Sequence, residues 1–139
     1  MTVEPIRTIY PFAEVFEIST NGTTAVDVWD IPINTIITMV LARVKVAGAG
    51  SGGNLIVGDD DDDDGFILAA NLCGATVATI YGDAVAERGA YLEAGATGTH
   101  AGSWKVYPAA GKELKIDCSV DMTTEATIEL FVFGYSYHV

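Results

Sequence analysis

A strict alternation of apolar and polar residues near the end of the chain is the feature that most constrains the fold. Over residues 112–120, every second position is apolar: Leu114, Ile116, Cys118 and Val120. A period of two places such residues on one face of a β-strand and their polar neighbours on the other. The pattern predicts a half-buried strand.

The segment 125–139 repeats the alternation after a short polar turn. One predicted face holds Ala126, Ile128, Leu130 and Val132, and the other holds an aromatic row of Phe131, Phe133, Tyr135 and Tyr137. We expect these last two strands to pair as an antiparallel sheet nucleus. The aromatic row is too apolar to face water along its whole length, so another part of the protein or a partner should cover it.

The composition favours strands over helices throughout the chain. Half of the 139 residues are apolar, and Val, Ile, Thr, Ala and Gly are enriched over Lys, Gln and Leu. A chain of this length forms one domain and buries enough surface to fold without a metal or a disulfide. It is therefore an all-β candidate.

The net charge of −12 argues against two classes of partner. Nineteen acidic residues stand against seven basic ones, and this excess repels both a phosphate backbone and an anionic lipid surface. We therefore expect neither nucleic acid nor membrane as a partner. Six of the acids form the run 59–64, so half of the net excess comes from this one segment.

No targeting segment is evident in the sequence. The first residues lack the basic and apolar regions of a secretory signal, and no apolar run reaches the roughly 20 residues of a membrane span. Cys73 and Cys118 have no metal-binding spacing and are predicted to be buried free thiols. Both observations favour a soluble protein assembled in a reducing cytosol.

Residues 1–13 are predicted to be an extended N-terminal arm rather than a core strand, since they contain two prolines and no sustained alternation. Apolar side chains make it a candidate for docking on another subunit or on the core of its own chain. The candidates are Ile6, Ile9, Tyr10 and Phe12.

Two further segments predict strands in the first third of the chain. The dipeptide Asn21-Gly22 lies between two alternating segments, which predicts a β-hairpin with a type I′ turn. Residues 35–46 predict a long strand that places Thr38, Val40, Ala42, Val44 and Val46 on one face.

The acidic run 59–64 follows a short predicted strand, 54–58. Asp60, Asp62 and Asp64, followed by Gly65, fit the first half of a calcium loop, in which alternate carboxylates point at the ion. Asn71 at the twelfth position cannot supply the usual bidentate carboxylate. A solvated acidic loop is the alternative, and in either case we expect the whole run at the surface.

The remaining segments complete a count of about eight strands. A short helix is predicted over 66–73, ending before Gly74, and strands are predicted over 90–93 and 103–109. No repeat or domain boundary is evident. We predict a single-domain, jelly-roll-like antiparallel β-sandwich over 14–139, with the arm 1–13 before it.

No catalytic pattern is present in the sequence. His100 and His138 have no neighbours at metal-ligand spacing, and Ser51 and Ser103 lack a nucleophile elbow. The glycine-rich segment 48–53 is not followed by the Lys-Ser/Thr of a phosphate loop. We expect a protein that is not an enzyme.

The layout of residues 54–139 resembles the small structural β-sandwich proteins of tailed bacteriophages, namely capsid cement or decoration proteins and related head-fibre or tail proteins. The likeness lies in a strand with an acidic turn and Asp-Gly (57–67), a Gly-x-x-Leu-x-Ile strand (111–116) and a tyrosine-rich last strand (131–137). It implies a jelly-roll homotrimer that sits on the outside of a capsid and clamps subunits of the major capsid protein. The expected location is the virion, after synthesis in the host cytoplasm.

Two alternatives remain open. One is a carbohydrate-binding jelly-roll module, calcium-dependent through Asp60, Asp62 and Asp64. The other is a phage tail or head-fibre component, which would share the fold and differ in its place on the particle. The sequence does not separate these from a cement protein.

Overall fold

A computed structural model describes residues 8–50, 52–92 and 104–138. These residues form nine strands: β1 (Thr8–Thr20), β2 (Val26–Ile31), β3 (Thr35–Val46), β4 (Asn54–Gly58), β5 (Ile67–Asn71), β6 (Ile80–Tyr81), β7 (Lys105–Tyr107), β8 (Lys112–Cys118) and β9 (Ala126–His138). A 3₁₀ turn, Val85–Glu87, lies between β6 and β7. Within the described residues, no helix is long and apolar enough to cross a membrane.

The strands form two antiparallel sheets that pack as a sandwich. The five-stranded sheet has the order β1-β9-β3-β6, with β7 also paired to β3, and the four-stranded sheet has the order β2-β8-β4-β5. Strands therefore pair from the two ends of the chain inward: first with last, second with next to last. β6 and β7 pair with different parts of β3 and share one edge position. Nine strands thus fill the eight positions of a jelly roll, which confirms the predicted fold class.

The core lies between the two sheets and is built from the faces that the alternation predicts. Leu114, Ile116 and Cys118 of β8 are buried, as are the four apolar residues predicted for one face of β9. Val120 is an exception: it lies beyond the end of β8 and is 44% exposed. The inward faces of β8 and β9 are therefore confirmed, although the two strands belong to different sheets.

A bulge changes the predicted faces of β3. The register with β9 shifts between Ile37 and Met39, so that Ile37 and Val40 are both fully buried although they are three positions apart. A bulge adds one residue to one strand and reverses the alternation beyond it. Thr38 occupies the shift and is only half buried. Residues 40, 42 and 44 point inward as predicted, whereas Val46 is exposed.

The two predicted hairpins are wrong. β1 pairs with β9 and β2 pairs with β8, so the connection at Asn21-Gly22 crosses from one sheet to the other. Neither residue has the positive φ that a type I′ turn requires. The predicted pairing of β8 with β9 is also absent, although these strands follow each other in sequence. In this sandwich most successive strands lie in different sheets, and local turn propensity does not reveal this.

The predicted helix over 66–73 is also wrong, since residues 67–71 form β5 and pair with β4. This segment lies at the sheet edge with Ile67 and Ala70 buried, so its burial follows tertiary pairing rather than helix propensity. Residues 90–92 form no strand, and residue 93 lies outside the described residues. The predicted strand 103–109 is present as the shorter β7.

The described part of the predicted N-terminal arm, residues 8–13, belongs to β1. Its pairing with β9 runs without interruption from Thr8↔His138 to Thr20↔Ala126, through the predicted boundary at residue 13. Ile6 lies outside the described residues. Cys73 and Cys118 are free thiols, with Cys118 buried and Cys73 half buried. Burial raises the pKa of the Cys118 thiol, which makes it less reactive.

Candidate functional site

The acidic loop between β4 and β5 is anchored by one buried carboxylate. Asp59 is 3% exposed. Its Oδ2 accepts a hydrogen bond of 2.6 Å from the Tyr107 hydroxyl, and its Oδ1 accepts one of 2.8 Å from the Tyr91 hydroxyl. The backbone amides of Asp61 and Asp62 also donate to Oδ1, at 2.9 and 3.1 Å. The prediction that the whole acidic run lies at the surface is therefore wrong for Asp59.

This arrangement keeps the Asp59 carboxylate ionised. Burial alone would raise its pKa, but the hydrogen bonds from Tyr107, the two amides and Tyr91 outweigh burial, so the pKa is lowered. Burial followed by the hydrogen bond to Asp59 raises the pKa of both tyrosine hydroxyls, which stay protonated as donors. The Lys105 ammonium lies 4.0 Å from Asp59 Oδ2 and 4.0 Å from the centroid of the Tyr91 ring. The loop is thus fixed to β7 and to the segment before it.

Lysines of β8 neutralise the next two aspartates. Asp60 Oδ1 lies 2.5 Å from Lys115 Nζ, and Asp60 Oδ2 accepts a hydrogen bond from the backbone amide of Glu113. Asp61 Oδ1 lies 2.6 Å from Lys112 Nζ. The hydrogen bond from Lys115 lowers the pKa of Asp60. Half of the acidic run is therefore bound by donors of this chain.

The predicted calcium ligands are not brought together as a set. Asp60 points to Lys115, whereas oxygens of Asp62, Asp63 and Asp64 lie within 4.8 Å of one another. Among the described residues this is the one group of three or more His, Cys, Asp or Glu side chains close enough to hold an ion. Asn71, the twelfth position of the predicted loop, lies at the end of β5. The geometry thus differs from that of the calcium loop, which is one of two interpretations of the sequence.

Within this acidic group, the ionised form of the Asp64 carboxyl is disfavoured. Burial first, then a hydrogen bond with Asp62 and the charges of Asp62 and Asp63, raise its pKa. A carboxyl whose folded pKa is raised loses stabilising free energy as the pH rises through that pKa. We expect Asp64→Asn to raise the free energy of unfolding at pH 7 by about 0.5 kcal/mol, since solvent screens the repulsion. At pH 3 it should have no such effect.

Urea unfolding of the wild type and Asp64→Asn at both pH values would check this. Asp83→Asn is the matched control, because Asp83 is an exposed aspartate outside the acidic group. A stabilisation that is equal for both variants, or unchanged between the two pH values, would contradict relief of repulsion inside the group.

The outer side of the five-stranded sheet forms a second candidate site. Three rows of side chains cross β1, β9 and β3 in register: Val15, Phe131 and Leu41; Ala13, Phe133 and Met39; Pro11, Tyr135 and Ile36. Val106 of β7 lies opposite Ile36, and Ile80 of β6 lies opposite Arg43. We call these eleven residues the apolar outer face. None of them is fully buried, and Val15, Met39 and Tyr135 are 54%, 41% and 43% exposed.

The relief of this face is uneven. The rings of Phe131 and Phe133 are stacked, with centroids 6.5 Å apart and planes inclined by 7°. The two rings line an open depression of about 310 Å³ together with Leu41, Arg43 and Ile80. The face therefore carries a depression walled by the two rings, next to the more exposed side chains of Val15 and Met39.

Beyond the apolar rows, the end of the same sheet face carries charged side chains that form ion pairs with one another. Glu17 of β1 lies opposite Glu129 of β9, and Glu129 lies opposite Arg43 of β3. Arg43 Nη2 is 2.5 Å from Glu129 Oε2, and Lys45 forms an ion pair with Glu17. Two acids and two bases cancel, so this end has no net charge.

The predicted interface residues are divided between different surfaces. Phe131, Phe133 and Tyr135 belong to the apolar outer face, whereas Tyr137, further along β9, is buried. Phe12 points into the sandwich and packs against Trp29, with ring centroids 5.8 Å apart. These residues therefore do not form one continuous aromatic surface.

The remaining described candidates, Ile9 and Tyr10, lie near the start of β1. Both are exposed there. The Tyr10 ring contacts His138 edge to face, with centroids 5.5 Å apart. His138 is exposed at the end of β9, and His100 lies outside the described residues.

Sequence reasoning missed most of the apolar outer face. Val15, Met39 and Leu41 occupy alternate positions of their strands, yet only the pairing of β1 and β3 with β9 aligns them with the aromatic row. It also missed Tyr91 and Tyr107 as partners of Asp59. They lie 32 and 48 residues from it in sequence, and no local pattern connects them.

Comparison with solved structures finds a shared fold. A chain of the "Cyanophage Pam1 capsid asymmetric unit" aligns with 98% of this chain and with 91% of its own length, at a TM-score of 0.63 and 12% sequence identity. Neither a protein-family model nor a curated protein sequence matches the chain. The similarity is thus one of architecture over nearly the whole of both chains.

Proposed function

We propose that this protein is a non-enzymatic structural component of a phage virion that decorates and cements the outside of the capsid as a homotrimer. The observation that carries the proposal is the likeness in fold to a chain of a cyanophage capsid unit, which extends over nearly the full length of both chains. The proposed partner is the major capsid protein of the same virus.

The electrostatics of the chain support a protein partner rather than nucleic acid. The six basic residues that the structure describes are all engaged. Arg43, Lys45, Lys105, Lys112 and Lys115 lie against carboxylates, and Arg88 donates to the backbone carbonyls of Gly82 and Asp83. Binding to a phosphate backbone would have to break these contacts against a net charge of −12.

Cementing needs contacts and no chemistry. A protein that binds the assembled shell, and not its free subunits, stabilises the shell by mass action. A trimer at a three-fold point touches several capsid subunits at once, so contacts that are weak individually add through avidity. Ile9 and Tyr10, exposed near the start of β1, belong to the N-terminal apolar segment that we propose reaches a neighbouring capsid subunit.

A direct test is co-sedimentation with shells of the major capsid protein of the same virus. We expect the purified chain to sediment with assembled shells, to stay in solution with unassembled subunits, and to raise the temperature at which shells disrupt. Attachment to tails instead of heads would identify a tail or fibre component. Absence of binding to any part of the particle would contradict the proposal.

Two variants separate this function from a calcium-dependent carbohydrate-binding module. Deleting residues 1–7 leaves β1 in place and is expected to weaken shell attachment at least about tenfold, through loss of avid contacts. The triple change of Asp62, Asp63 and Asp64 to asparagine should leave attachment unchanged, with or without a calcium chelator. Loss of attachment in the triple variant alone would instead favour an ion-dependent module.

A further inference from the structure

We infer that the apolar outer face, together with its neutral charged end, is the surface through which copies of this chain contact one another. The two outer sides of the sandwich differ sharply. The four-stranded sheet turns Asp27, Glu113, Lys115 and Asp117 outward, as a solvated face does. The five-stranded sheet turns aromatic and aliphatic side chains outward instead. An apolar surface of this extent marks an interaction site.

Shape identifies a second copy of the chain as the occupant. Contacts between identical subunits in a closed assembly use surfaces that fit other parts of themselves. The rings of Phe131 and Phe133 line a depression together with Leu41 and Ile80. The side chains of Val15 and Met39, which are 54% and 41% exposed, lie next to these rings on β1 and β3. Exposed apolar side chains next to a depression on one face let the side chains of one copy enter the depression of the next. A flat or purely convex face would not provide this fit.

Charge identifies the same occupant. Any second copy also carries a net charge of −12, so most approaches bring like charges together. On this side of the sandwich Glu17 is paired with Lys45, and Glu129 with Arg43, and the three apolar rows contain no ionisable group except the Tyr135 phenol. Copies can therefore meet here without repulsion at the contact. A basic partner would gain nothing from a neutral surface.

The test compares two matched substitutions in the absence of any shell. Val15→Glu places a carboxylate in the first apolar row, at a side chain that is 54% exposed and so tolerates the change in the folded monomer. Val120→Glu, at a residue 44% exposed beyond the end of β8, is the control. Native mass spectrometry and light scattering over a range of concentrations give the oligomeric state, and circular dichroism checks the fold.

We expect the wild type and Val120→Glu to be oligomers. Val15→Glu should raise the concentration at half dissociation about 100-fold, because like charges then meet at the interface. Met39→Glu, in the second row, should act in the same way. A monomeric wild type overturns the inference, and so does an oligomer that Val15→Glu and Met39→Glu leave intact.

This inference specifies the contact inside the homotrimer of the proposed function and rests on that function, yet the two can fail separately. Shell attachment by a wild-type monomer would overturn the self-contact and leave a capsid role in place. An oligomer that is disrupted by Val15→Glu but does not bind shells would support the self-contact and contradict the capsid role. Direct binding of the apolar outer face to the shell protein, without self-association, would also overturn the inference.

Discussion

Replacing Asp59 with alanine is expected to lower the free energy of unfolding by about 3–4 kcal/mol. The substitution leaves the hydroxyls of Tyr107 and Tyr91 and the amides of Asp61 and Asp62 without their acceptor. It also removes the charge facing Lys105. Donors that lose a buried acceptor pay their full desolvation cost, which exceeds the net gain of an ordinary hydrogen bond. Urea unfolding followed by tryptophan fluorescence would measure the loss.

Asp63→Ala is the matched control for this prediction. Asp63 belongs to the same run, is exposed, and lies close to two other carboxylates, so its removal should change stability by less than about 0.5 kcal/mol. Equal losses in the two variants would show that Asp59 is not the anchor of the loop.

The pH dependence gives Asp59 a second signature. In the folded protein the pKa of Asp59 lies below its ordinary value of 3.8, so the unfolded chain binds the proton more readily. The stability that this provides is present above about pH 4 and is lost as the pH falls through the folded pKa. Asp59→Asn should therefore unfold with a shallower dependence on pH below 4 than the wild type. Parallel curves would contradict the assignment.

Gly134→Ala, which adds a methyl group, is expected to lower the free energy of unfolding by about 3 kcal/mol. Gly134 lies on β9 opposite Ile37, where the register with β3 begins to shift. A Cβ at this position would lie 1.9 Å from the carbonyl oxygen of Ile36 and 3.0 Å from the ring of Phe12. Two backbones this close cannot separate without breaking the β3–β9 pairing. Thermal and urea unfolding of Gly134→Ala would measure the cost.

Gly22→Ala is the matched control for Gly134→Ala. Gly22 also lacks a positive φ, and the nearest atom to an added Cβ is the flexible carboxylate of Asp121, at 2.9 Å. That side chain can rotate, although it accepts a hydrogen bond from the Thr23 amide, so the loss should stay below about 1 kcal/mol. If the two variants lose the same stability, close backbone approach is not what selects glycine at position 134.

The sequence by itself determined which residues point inward on β8 and β9. The alternation of β8 and β9 placed Leu114 and Ile128 in the core because a strand turns successive side chains to opposite sides whatever its partner is. It also fixed the all-β class, the acidic surface and the apolar row of β9. These properties depend on neighbours in sequence, and periodicity and composition report such neighbours directly.

Only the tertiary structure decided which strands are neighbours and what the acidic run does. β1 and β2 look like a hairpin around Asn21-Gly22, yet each pairs with a strand roughly a hundred residues away, because a jelly roll pairs its strands from the chain ends inward. The pairing of β9 with β1 and β3 aligns Val15 and Leu41 with Phe131. The pairing of β7 with β3 places Tyr107 beside Asp59. Contacts across such separations leave no local trace in the sequence, since their free energy arises only when both sheets have closed over the core.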